Sequence, residues 1–189
     1  MRPLTVAMGF WLMAGVADAA VVYSFAEHAG GVTGTLSGTL DLTGAEKFFP
    51  QGIAAPALVV PELGALLSGG PPATVWDIYA AEGPASWGPG TGANATASTG
   101  SSVGVFGDVF LGGAYLLLPE GSSGGPLNGS MSFAGATLAS LGITPGSYAY
   151  TLPSDTVTVS FSAIPLPATL PLLLAALGLA AVAGRRRAG

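Results

Sequence analysis

Val32-Thr33-Gly34-Thr35-Leu36-Ser37-Gly38-Thr39-Leu40-Asp41-Leu42 alternates with a period of two. Successive side chains of a strand point to opposite faces, so Thr33, Thr35, Ser37, Thr39 and Asp41 share one side. Val32, Leu36, Leu40 and Leu42 share the other, which reads as a strand with one wet face. Asp155-Thr156-Val157-Thr158-Val159-Ser160-Phe161-Ser162 repeats the design, with Val157, Val159 and Phe161 pointing inward. Working outward, shorter strands are expected over Val21–Glu27, Ala57–Val60, Thr74–Ala80, Val103–Phe106, Val109–Leu118, Ser130–Phe133 and Ser147–Leu152. Ala29-Gly30-Gly31, Gly69-Gly70-Pro71-Pro72, Gly121 to Asn128 and Pro145-Gly146 supply the turns between them. Many short strands with Gly and Pro turns predict an all-β fold, an antiparallel β-sandwich or a partly open barrel. Short helical turns are expected at Leu63–Leu67 and Ala136–Leu141. Residues 83–102 are rich in Gly, Ala, Ser, Thr and Pro without an apolar period, which predicts a long flexible loop with Trp87 as its one anchor.

The chain has 189 residues, of which 50% are apolar and 8% charged; it has no cysteine and a formal net charge of −5. This length fits one ordinary domain. The apolar content argues against a disordered acidic chain, and five Lys and Arg in all argue against a nucleic-acid partner. Four of those five, Arg2, Arg185, Arg186 and Arg187, lie near the two chain ends, leaving Lys47 alone between them.

Both ends read as addresses. Arg2, the apolar stretch Leu4–Val16 and the small residues Ala17 and Ala19 form a secretory signal over residues 1–19, with cleavage before Ala20. A helix of that apolar stretch spans about 20 Å, too short for the roughly 30 Å of a hydrocarbon core. Export would place the body in an oxidising compartment without a cysteine to cross-link it, so the fold must rest on its core. The body from Ala20 to Ile164 would then hold Lys47 against nine carboxylates, a net charge of −8.

At the other end, Ile164-Pro165-Leu166-Pro167-Ala168 precedes Thr169, a good N-cap, and the uninterrupted apolar stretch Leu170–Gly184. Pro171 falls in the first turn of such a helix, where its missing N–H is harmless. Arg185, Arg186 and Arg187 follow and act as a membrane stop on the cytoplasmic side. A transmembrane helix is expected here, since a buried core helix would show a polar face.

Residues 164–189, with a proline motif, a short apolar helix and an arginine cluster in that order, resemble the PEP-CTERM family of sorting signals. Ile164–Ala168 is similar to the VPLPA-CTERM variant, with Ile164 in place of valine. The resemblance implies an exported protein of a Gram-negative bacterium, an inner-membrane intermediate held by the C-terminal helix, and processing near the proline motif by an exosortase. It also implies exopolysaccharide and biofilm surroundings, and signal peptidase as the other processing enzyme.

Chemistry within residues 20–163 is sparse. A Ser-His-Asp site would have to use His28, the only histidine, which is expected at a strand end facing water. Gly100-Ser101-Ser102-Val103-Gly104 and Gly121-Ser122-Ser123-Gly124-Gly125 match the G-x-S-x-G pattern without its strand-to-helix context. No catalytic residue, metal site or cofactor is therefore expected, and the chain reads as no enzyme. Calcium could use Asp41, Asp77, Asp108 and Asp155 if folding gathered them, but their dispersed spacing favours solvated turn acids. Trp76 and Trp87 are the candidate carbohydrate contacts, among the aromatics Tyr79, Tyr115, Tyr148 and Tyr150 that more often pack within a sheet. The first reading is an exported structural or adhesive protein; a secreted carbohydrate-binding module is second and a hydrolase third. An acidic body points to neutral exopolysaccharide or another matrix protein as partner.

Overall fold

The alternating stretch from Val32 lies in β2, Gly31–Leu40, with Asp41 and Leu42 just beyond its end, and antiparallel β1, Ala20–His28, precedes it across the turn at Ala29 and Gly30. This computed structural model describes residues 20–48, 50–52, 55–69, 75–107 and 112–163. The remaining strands are β3 Leu58–Val60, β4 Ala65–Ser68, β5 Trp76–Ala81, β6 Ala93–Asn94, β7 Ala97–Gly100, β8 Val103–Phe106, β9 Ala114–Pro119, β10 Gly125–Ala134, β11 Gly146–Thr151 and β12 Thr156–Ser162. They form two six-stranded sheets, in the orders β11-β12-β1-β2-β10-β7 and β5-β9-β8-β4-β3-β6. This nearly all-β architecture is consistent with a β-sandwich. The signal segment, including Ala17 and Ala19, the motif Ile164–Ala168, the expected membrane helix and Arg185–Arg187 lie outside the described residues. No helix among the described residues is long and apolar enough to cross a membrane.

Among the described residues all strand pairings but one are antiparallel. The exception joins the first and last strands: β1 runs parallel to β12, with Ala20 opposite Thr156 and Ala26 opposite Ser162. The inward faces of the first sheet contribute Val21, Tyr23, Phe25, Val32, Leu36, Met131, Phe133, Val157, Val159 and Phe161 to a core shared with Val59, Leu66, Val105, Leu116 and Leu118 of the second. Each such side chain fully buried contributes roughly 1.5–3 kcal/mol relative to exposure. Tyr23 ties the sheets together, its hydroxyl 2.7 Å from Ser68 Oγ. Burial pushes that phenol well above its ordinary pKa, so it stays protonated and available as a donor.

The sandwich is sealed at its sides. Between β6 and β7 the chain changes sheets within two residues, Ala95 N–H donating to Ala57 O at 2.8 Å and Thr96 N–H to Ser132 O at 2.7 Å. Across the molecule, Glu82 and Thr151 exchange backbone bonds of 2.9 and 2.7 Å, joining the end of β5 to β11. The free edge of β5 is covered by residues 46–48 and Gln51: Ala80 N–H donates to Glu46 O, Phe48 N–H donates to Ile78 O and Gln51 exchanges two bonds with Trp76. Covered edges limit strand-to-strand aggregation.

Two expectations change and a third holds. Leu63–Leu67 is not a helical turn: Pro61–Leu63 makes a 3-10 turn that Gly64 ends in the left-handed region, and Ala65–Ser68 is a strand. Its four residues are all buried, because the second sheet is apolar on both faces. Residues 83–102 are not one flexible loop, since they contain β6 and β7 and bury Trp87. At Ala136–Leu141 a single helix-like turn does form, with Leu141 N–H donating to Thr137 O at 3.0 Å.

Candidate functional site

β12 is where the body ends and the sorting segment begins, and its last inward residue is Phe161. The strand's period of two that carries Val157 and Val159 into the core also carries Phe161 there, at 3% exposure. The ring lies 4.9 Å from Phe25 on β1, 5.3 Å from Trp87 and 6.0 Å from Tyr148 on β11, measured between centroids. Trp87 also meets Tyr150 edge-on at 6.2 Å. Offset and edge-to-face pairs of this kind add stabilisation beyond the area that they bury. The backbone fixes Trp87 too: its N–H donates to Pro61 O at 2.8 Å, and its carbonyl accepts from Thr144 N–H at 2.7 Å. Tyr148 donates its hydroxyl to Thr144 O at 2.9 Å, and the buried Tyr150 donates to Gly64 O at 2.7 Å. Burial pushes the Tyr150 phenol above its ordinary pKa. Ala163 alone separates Ser162, the end of β12, from Ile164.

Both candidate carbohydrate contacts are corrected by this arrangement. Trp87 is 1% exposed and belongs to the aromatic cluster, and Trp76 is 1% exposed among Leu67, Tyr115 and Leu117 on the outer face of the second sheet. A sugar platform needs an open ring face, which neither tryptophan offers. A cleft of about 530 Å³ lies between Gly44, Glu46, Glu82, Thr151 and Pro153, with no aromatic ring among its lining residues.

Asp41 is an exposed turn acid, as expected, but Asp77 and Asp155 are buried. Asp77 is fully buried and pairs with Lys47 at 2.8 Å while accepting Gly121 N–H at 2.9 Å. Burial alone would raise its pKa, but the Lys47 ammonium and the Gly121 N–H outweigh burial and hold the carboxyl below the usual range. Asp155 is 8% exposed and accepts Asp41 N–H at 2.8 Å and Thr156 N–H at 2.6 Å, closing the turn into β12. Asp41 accepts Thr43 N–H at 2.8 Å, a contact that lowers its pKa. Asp108 lies outside the described residues. Among the described residues no three His, Cys, Asp or Glu side chains group to hold a metal ion.

His28 ends β1 and is exposed, as expected. Its Nε2 lies 2.8 Å from Thr33 Oγ1, and its Nδ1 accepts Gly30 N–H at 3.1 Å, so both ring nitrogens serve the hairpin turn. Sequence reasoning missed the Phe161 cluster and the Lys47–Asp77 pair. A lone lysine in an acidic body was the one signal for the pair, and nothing local signalled the cluster.

The last strand of this all-β body is followed in sequence by an apolar stretch and an arginine cluster, the arrangement of a C-terminal sorting segment. Residues 163–187 match the family model described as the PEP-CTERM protein-sorting motif. The motif implies an exported, envelope-targeted protein sorted and processed by an exosortase. Comparison with curated proteins and with solved structures returned no match.

Proposed function

We propose that the chain is a structural or adhesive protein of the envelope or extracellular matrix of a Gram-negative bacterium, acting within exopolysaccharide or biofilm. The carrying observation is the sorting motif at residues 163–187, which starts at the residue after β12 and delivers the β-body as cargo. In this reading signal peptidase releases Ala20, the C-terminal helix holds an inner-membrane intermediate, and Ile164–Ala168 is recognised rather than catalytic. The body works through its surface and not as an enzyme, which is supported by the commitment of His28 to its own turn. Its partner is neutral exopolysaccharide or another matrix protein, because one lysine against nine carboxylates between Ala20 and Ile164 repels acidic polymers. The burial of Trp76 and Trp87 favours the structural role over a carbohydrate-binding module.

The test is fractionation of the host's extracellular matrix. The mature protein is expected to co-sediment with the matrix and, by mass spectrometry, to lack about its last 20 residues. An intact Arg185-Arg186-Arg187 tail on released protein refutes the processing, and absence from the matrix fraction refutes the structural role.

A further inference from the structure

We propose that the ring cluster around Phe161 makes the last strand a brake on its own processing: the sorting peptidase gains its cleavage site only when the end of β12 lifts out of the sheet. The inference rests on the sorting reading above. β12 is flanked on both sides, by β11 and by β1, and its pairing persists to the end, with Gly146 opposite Phe161 and Ala26 opposite Ser162. A peptidase binds its substrate as a single extended strand with residues on both sides of the scissile bond in the cleft. Just upstream of the motif, Ser160 and Phe161 have β neighbours on both edges and Ser162 is paired with β1, so these residues cannot enter such a cleft while paired.

Reach does not relieve the constraint. Ile164 is three residues beyond Phe161, so full extension places it no more than about 11 Å from that anchor. Phe161 is itself held by Phe25, Trp87 and Tyr148, contributed by three separate parts of the chain. Phe25 belongs to β1, which starts at Ala20, so the first strand of the exported body holds the last. Cleavage of a folded chain at such a place follows the population of the locally opened form. The sandwich thereby delays release from the membrane, and the delay disappears in chains whose last strand has not docked.

The experiment is a pulse-chase of the full chain in host cells carrying their own sorting peptidase, following loss of the Arg185–Arg187 tail. An eight-residue Gly-Ser insertion between Ala163 and Ile164 moves the motif clear of the sheet without touching the sandwich. It is expected to speed tail loss, because cleavage then no longer waits for the strand to open. Phe161→Leu loosens the ring cluster and is expected to speed it as well; should that variant fail to fold, the insertion alone decides. Tail loss from the insertion variant at the parent rate or slower overturns the brake. Replacing Pro165 and Pro167 by alanine is the control: blocked processing leaves the sorting reading standing whatever the insertion does, and normal processing overturns that reading itself.

Discussion

Gly34 occupies an inward position of β2 directly opposite Phe25, and the structure shows what an added methyl group would meet there. A Cβ on Gly34 would lie 2.6 Å from Cδ1 and 2.7 Å from Cζ of Phe25, and nearer still to Cε1. Carbon atoms prefer about 3.5–4.0 Å, so the ring would have to move by about 1 Å. That ring is pinned by Phe161 at 4.9 Å and Tyr23 at 6.4 Å, so it has little room to retreat. Overpacking of this kind costs about 1–3 kcal/mol, while the reduced freedom of the unfolded chain returns about 0.4–1 kcal/mol. Gly34→Ala is therefore expected to destabilise by about 1–2 kcal/mol, lowering Tm by roughly 3–8 °C for a body of this size. Thermal melting by far-UV circular dichroism measures it. Phe25→Leu removes the obstructing ring, so the double variant should be less destabilised than the sum of the singles, by about 0.5–3 kcal/mol. A Gly34→Ala protein that melts at or above the parent temperature, or strictly additive singles, refutes the reasoning.

Trp87→Ala should cost about 3–5 kcal/mol in urea unfolding, because it empties the centre of a four-ring cluster; a change below about 1 kcal/mol would mean that the ring is not packed as described. Acid should weaken the fold through Asp77, whose folded-state pKa is depressed. Its carboxylate stabilises fully above the unfolded value near 3.9, and that contribution is lost as pH falls through the lower folded value. Asp77→Asn should therefore lower Tm at pH 7 and flatten its decline between about pH 5 and 2. An unchanged pH profile would refute the assignment.

Half-buried strands announce themselves, which is why β2 and β12 were legible from alternation alone. The second sheet hides its period because it is apolar on both faces: Leu66 and Leu116 join the core between the sheets, while Leu67 and Leu117 pack on the outer side. A run such as Leu63–Leu67 then carries neither a period of two nor a clear period of 3.6, and helix cannot be told from strand locally. Residues 83–102 misled for a related reason. Their composition is that of a loop, but Trp87 is ordered by Tyr148, Tyr150 and Phe161, all more than sixty residues further along the chain.

The sorting motif and the ring cluster show the two kinds of legibility side by side. A chain-end address is read by other proteins as a linear string, so its proline motif, apolar stretch and arginines must stand in order within some 25 residues, and sequence alone exposes them. The cluster that decides how the string is presented is assembled from β1, the segment between β5 and β6, β11 and β12, and only the parallel pairing of the first strand with the last brings Phe25 against Phe161. Sequence on its own favours hairpin neighbours, and a parallel pairing across more than 130 residues leaves no local trace. The part of the molecule that governs access to the address was for that reason the part that only the fold could reveal.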